Sequence, residues 1–214
     1  MKKFELTTDC ITFFGRKLFR IKALIQFGDV NPGDLGGYVE KEENLDHDGN
    51  AWVYGNARVC GDARVYGDAW VYGNARVCGN ARVYGDARVY GDARVYGDAW
   101  VYGNARVCGN ARVCGNARVY GDARVYGDAR VCGDARVYGD ADFTYIHGFG
   151  SEYRTTTFFR LKDGGVGVRC GCFYGDLNAF REKVQKTHGE SKYAEEYLMI
   201  ADLMELHFEK EERE

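Results

Sequence analysis

The chain has 214 residues, 45% of them hydrophobic, with 29 glycines, a single proline (Pro32) and a net charge of −3. So much glycine with almost no proline excludes collagen-like and low-complexity disordered chains and points to an ordered, turn-rich repeat. The small, evenly spread charge leaves no basic tail for nucleic acid or an anionic membrane, and no apolar run reaches signal or transmembrane length, so the chain reads as a soluble cytoplasmic protein.

In chain order, the first recognisable element is the stretch ITFFGRKLFRIKALIQFG. Phe19, Ile21, Ala23, Ile25 and Phe27 alternate with mostly polar or charged residues after a turn at Gly15 to Lys17, which predicts a strand or hairpin. The next ninety residues give this segment its role.

From Gly49 to Tyr138 run fifteen consecutive hexads of the form Gly, Asp or Asn, Ala, Arg or Trp, Val, Tyr or Cys, and an imperfect sixteenth occupies residues 139–144. Ala and Val are two apart, so in an extended strand they share one side and the Arg or Trp between them takes the other. If Ala and Val faced water, twelve arginines would face a core, and burying unpaired charge at that density is prohibitive. Ala and Val therefore point inward. The Gly-Asx pair supplies each corner, because glycine tolerates positive φ and Asx side chains satisfy nearby backbone groups.

One hexad buries only two small side chains, so it has no stability of its own and must stack on its neighbours. The narrow interior suits a three-sided coil of three hexads. An eighteen-residue coil puts Cys60, Cys78, Cys114 and Cys132 in one column interrupted by Tyr96, and puts Trp52 and Trp70 in another, with Trp100 on a different side. Stacked cysteines would lie about 4.8 Å apart, within disulfide range, although free thiols replacing tyrosine at a corner are the plainer expectation for a cytoplasmic chain.

A bare end of such a stack exposes unpaired backbone, so residues 1–48 are assigned to an N-terminal β cap and first coil, residues 49–144 to the repeat, and residues 145–214 to a C-terminal cap. In the last segment TTTFFRLKDGGVGVRCGCF predicts a hairpin turning at Asp163 to Gly165. Asp176 then caps a helix with Leu177, Phe180 and Val184 on one stripe, and Ser191 opens a second helix; the tail EKEERE is expected to be solvated. The predicted fold is mainly β: a three-sided parallel β-helix with an N-terminal β cap and a C-terminal hairpin plus two helices.

The spacing of Val53 to Ala57, Val59 to Ala63 and onward to Val137 and Ala141 resembles that of the hexapeptide-repeat, left-handed β-helix proteins, over about residues 35–144. Left-handedness is what that resemblance implies. The whole chain, with FGDVNPGDLGGYVEKEENL before the repeat and CGCFYGDLNAFREKVQKTHG after it, is also similar to uncharacterised repeat proteins of bacterial and prophage genomes, some labelled polymer-forming.

Family members that are acyltransferases use a histidine and a loop thrown out from the coils, and those that hydrate carbon dioxide hold a metal with histidines. Between Gly49 and Asp140 this chain has neither histidine nor loop insertion, and His47, His147, His188 and His207 do not fall at zinc-ligand spacing. Cys170 and Cys172 offer two ligands at most. No catalytic residue, metal or cofactor is assigned. Residues 67–96 and 97–126 are one thirty-residue block repeated with only Tyr84/Cys114 and Asp86/Asn116 exchanged, and five hexads are not a whole number of coils. Such a slip moves every side chain to another side, which suits a generic scaffold better than a face-specific active site.

The expectation is a non-enzymatic structural or interaction scaffold that binds a protein partner or self-associates, with an acyltransferase-like enzyme as the alternative. A cleft lined by His147 or His188 would favour the enzyme, flat ladders and capped ends the scaffold. The contact surface is placed on Trp52, Trp70, Trp100, Arg76, Arg94 and Arg112; aromatics covering arginine stems or packing under a cap are the competing reading. Nucleic acid is disfavoured because nine aspartates interleave with the twelve repeat arginines, and these ladders are expected to neutralise one another.

Overall fold

A computed structural model describes residues 1–209; apart from Glu209, the acidic tail expected to be solvated lies outside the described residues. The repeat forms three parallel sheets built from two-residue rungs, each an Arg-Val or Trp-Val pair. The first face stacks Arg58, Arg76, Arg94, Arg112 and Arg130; the second Trp52, Trp70, Arg88, Arg106 and Arg124; the third Arg64, Arg82, Trp100, Arg118 and Arg136. Neighbouring rungs pair in register eighteen residues apart, as in Arg94 with Arg112 and Val95 with Val113, so the three-sided coil is as predicted.

The sequence parity holds throughout. Every repeat Ala from Ala51 to Ala135 and every repeat Val from Val53 to Val137 is completely buried in one continuous core. The corner glycines have positive φ, and at Gly91 (φ +70°) an added Cβ would come within 3.1 Å of the Gly109 nitrogen in the coil above. Glycine is required there both for conformation and for the close approach of consecutive coils.

Before the repeat, β1 (Phe4–Phe13) and β2 (Arg16–Ala23) form an antiparallel hairpin, and β3 (Leu35–Val39) pairs with β2 on one edge and with the Arg58 rung on the other. The hairpin thus continues the first face. Its turn is at Phe14 and Gly15, one residue earlier than predicted, and Ile25 and Phe27 fall beyond the strand. The register shifts between Leu6 and Cys10. With that irregularity the buried β2 residues are Leu18, Ile21 and Ala23, not the strict alternation expected from Phe19.

The last rung is Arg136–Val137. Residues 140–142 make a short 3-10 turn and Phe143 opens an antiparallel strand, so the imperfect sixteenth hexad adds no rung. The expected hairpin is the inner half of a larger antiparallel sheet ordered β4 (Phe143–Phe149), β5 (Arg154–Arg160), β6 (Val166–Cys170), β7 (Phe173–Asp176). Helices α1 (Leu177–His188) and α2 (Lys192–Phe208) cover it through Leu177, Phe180, Val184, Tyr197, Ala201 and Met204. Asp176 and Ser191 accept from the Ala179 and Ala194 amides, as their N-cap assignments require. No described helix is long and apolar enough to cross a membrane.

Candidate interaction surface

Outside the paired rungs the intercoil bonds run from a lower N–H to an upper carbonyl, as Arg94 N to Ala111 O at 2.9 Å and Tyr96 N to Val113 O at 3.0 Å. The lower end of the rod therefore leaves carbonyls of this kind for its cap to satisfy, and the upper end leaves N–H groups. The caps match this polarity. Below, Lys3 Nζ donates to the carbonyls of Asp48, Gly49 and Ala51, and Asn44 Nδ2 donates to those of Gly61 and Ala63 at 2.9 and 2.8 Å. Above, Asp140 accepts from the Arg124 amide, Thr157 Oγ1 from that of Arg130, and Asp142 from those of Tyr138 and Gly139. Burial of the Lys3 ammonium pulls its pKa down to about 8 against the opposing pull of Asp46, Asp48 and Asp68.

With both ends closed, the sides are left as the repeat's accessible surface. At the corners Asn side chains donate to the Asp one coil above: Asn80 to Asp98, Asn104 to Asp122, Asn110 to Asp128 and Asn116 to Asp134, at 2.9 to 3.1 Å. In the column of Asp62, Asn80, Asp98, Asn116 and Asp134 the two types alternate strictly, which keeps carboxylates from stacking directly on one another. This corrects the expected pairing of arginine with aspartate. Among the described residues no repeat arginine forms an ion pair with a carboxylate, whereas Asp62 pairs with Lys41 outside the repeat. Asparagine relieves the acidic ladders by hydrogen bonding between carboxylates, and the arginines are left without carboxylate partners among the described residues.

Tyrosines fill the remaining corners. Tyr66, Tyr84, Tyr102 and Tyr120 stack with centroids 4.8, 4.9 and 5.0 Å apart, and partial burial raises the pKa of Tyr66, Tyr84 and Tyr102. The three tryptophans of the predicted contact surface have different fates. Trp52 is buried under the N-terminal cap against Phe4, Phe27 and Tyr54, so it is removed from that surface. Trp70 is half-buried with Arg88 over its ring at 5.5 Å, and Trp100 lies between Arg82 and Arg118 at 4.8 and 4.7 Å. Cation–π stacking thus holds Arg88 on the second face and Arg82 and Arg118 on the third.

Arg76, Arg94 and Arg112 are brought together on the first face, which carries arginine on all five repeat rungs. Phe13 of the cap hairpin covers Arg58 and Arg76 at 4.8 and 5.2 Å. Two grooves run along this face. The lower, of about 370 Å³, is bordered by Phe13, Phe14, Arg76 and Arg94; the upper, of about 490 Å³, by Arg130, Arg154, His147 and Thr155. Arg112 lines both and so stands at their junction. The contributions of Phe13, Phe14 and Arg154 were not foreseen, because residues distant in sequence reach this face only through the caps.

His147 does line a groove, but it is exposed, and its Nδ1 lies 3.0 Å from Thr155 Oγ1. His188 sits against the Tyr193 and Tyr197 rings. His47 accepts the Lys3 amide at Nδ1, which leaves Nε2 to donate to Glu42 at 2.7 Å; that bond holds the Glu42 carboxyl below its usual range. Cys170 ends β6 with its Sγ 3.1 Å from Thr156 Oγ1, while Cys172 is exposed in the following turn, so they do not share a strand face. No group of three or more side chains suited to a metal occurs among the described residues.

The cysteine column is as predicted from the spacing, and Cys114 and Cys132, with Cα atoms 4.6 Å apart, form a disulfide. The expectation of free thiols throughout fails at this pair. Cys60 and Cys78, also on adjacent rungs, are free.

The repeat matches the YdcK beta solenoid repeat family at residues 57–73, 75–89, 87–103, 99–115, 105–118, 111–127, 117–131 and 129–141. Comparison with curated proteins gives no match.

Proposed function

We propose that this β-solenoid of about six turns, whose repeat is similar to the YdcK beta solenoid repeat, is a non-catalytic scaffold whose first face binds an acidic protein surface. The observation that supports this reading is the five-rung arginine column free of ion pairs among the described residues, held rigidly at strand spacing and deepened into a groove by the caps. Rigid, pre-positioned guanidiniums lose little side-chain freedom on binding carboxylates, and arginine with its planar fork suits that recognition. The second and third faces have tryptophan among their rungs, so the unbroken arginine column is confined to the first face. The likeness to prophage repeat proteins makes a component of a bacterial host the partner to seek, in the cytoplasm.

The test is capture from the native host on the intact protein, beside Arg94→Glu/Arg112→Glu, with mass measurement of the particle. A protein retained by the wild type, released by salt and lost from the double variant is expected. A monomeric mass with nothing retained, or equal retention by both, rejects the reading.

A further inference from the structure

The first face carries a second feature that scaffolding does not use. Cys60 and Cys78 occupy adjacent rungs whose flanking residues pair in register, Arg58 with Arg76 and Val59 with Val77, and the Cys60 amide donates to the Val77 carbonyl at 3.0 Å. The backbone relation is that of Cys114 and Cys132 three rungs further along the same column, where a disulfide is present. The column therefore accommodates an intercoil disulfide without rearrangement. Tyr96 stands between the two pairs and isolates them.

Cys60 and Cys78 also line the lower groove, beneath Phe13 and Phe14 and beside Arg76 and Arg94. They are not equivalent. Cys60 is buried, while Cys78 is partly open to the groove. The neighbouring Cys60 side chain pulls the Cys78 thiol pKa down, with Arg76 and Arg16 adding to the pull, while the Cys78 side chain and burial push Cys60 up. A thiolate-prone sulfur in reach of solvent, backed by a protonated one, is the arrangement thiol–disulfide exchange requires.

We propose that Cys60 and Cys78 are a dithiol site that reduces small disulfides bearing carboxylates, bound in this groove by Arg76, Arg94 and Arg112. The Cys78 thiolate attacks one sulfur of the bound disulfide, forming a mixed disulfide and releasing the first thiolate, which takes up a proton. Cys60 then loses its proton and attacks the Cys78 sulfur, forming the Cys60–Cys78 bond and expelling the second thiol. Two protein thiols are oxidised and one small disulfide is reduced to two thiols. Phe13 and Phe14 cover the groove, and the arginines, without carboxylate partners among the described residues, hold the acid groups.

Tryptic peptides do not separate these cysteines in the native chain, since VCGDAR carries both Cys60 and Cys132, and VCGNAR recurs. The experiment therefore uses the full chain with Cys10, Cys108, Cys114, Cys132, Cys170 and Cys172 replaced by serine, treated with oxidised glutathione and read by intact mass and thiol titration. Both thiols should be lost with no adduct retained, and dithiothreitol should restore them. Adding Cys60→Ser should trap one glutathione on Cys78; adding Cys78→Ser instead should leave the remaining thiol unmodified over the same interval. No thiol loss, two retained adducts, or equal trapping at Cys60 would overturn the proposal. Circular dichroism checks the fold of the serine background. If that background is unfolded, thiol titration of the wild type decides: it must lose two more thiols per chain than Cys60→Ser/Cys78→Ser, and an equal loss overturns the site.

Discussion

Ala93 and Val95, like their counterparts in every hexad, have no exposure, and the glycine that precedes them lies against the glycine one coil above. A methyl group at such a corner meets backbone rather than a yielding side chain and must also adopt a positive φ. Gly91→Ala is therefore expected to cost more than about 1 kcal/mol in a denaturant titration. Gly139→Ala, at extended backbone with open space around it, should stay within roughly 0.5 kcal/mol of wild type. The Asn–Asp ladder supplies a second test. Asn116→Asp replaces a 3.1 Å hydrogen bond to Asp134 with a run of three stacked carboxylates that includes Asp98, a loss of about 1 kcal/mol that should shrink as salt is added. This ladder could have been found by aligning the sequence at eighteen residues, since six of the seven repeat asparagines have an aspartate one coil later. The burial of Trp52 could not, because it depends on Phe4 and Phe27, which reach it only through the folded cap.

The elements at the two ends do opposite chemical work, and each can be probed separately. Thr157→Val preserves the branched shape in a buried strand position but removes the acceptor for the Arg130 amide. A loss of about 1 to 3 kcal/mol is expected, with faster hydrogen exchange at that amide. At the other end, Lys3 has a folded pKa of about 8 against an ordinary value of 10.5. Between those values the unfolded chain holds a proton that the folded chain lacks, so raising the pH favours folding. Stability should climb as pH rises from about 8 until tyrosine ionisation, favoured in the unfolded chain, opposes it near 10. Lys3→Met should abolish the climb. The parity of the repeat, the β5–β6 turn and both helix caps are local patterns and were legible. Strands β4 and β7 were not: Phe143–Phe149 overlaps the degenerate hexad, and Phe173–Asp176 is four residues long with a glycine inside.

For the whole molecule, the number of hexads is a free variable in stability but not in the alignment of the caps. Deleting Gly97–Tyr102 should leave a folded rod, because every hexad presents the same backbone to its neighbours, yet it turns the upper groove away from the lower one. Deleting Gly85–Tyr102 removes a whole coil and keeps them on one face. If binding relies on both grooves lying on one face, the eighteen-residue deletion, which removes Arg94 but leaves Arg76 directly beneath Arg112, should weaken partner binding less than the six-residue deletion does, both measured against thermal stability. The parallel stacking of the coils reaches further still. An end stripped of Lys3 and Asn44, or of Asp140 and Thr157, exposes a coil whose backbone has the spacing of every coil inside the rod. Head-to-tail contact of two such molecules would continue the parallel register, so a rod that loses its caps is expected to grow as a polar filament.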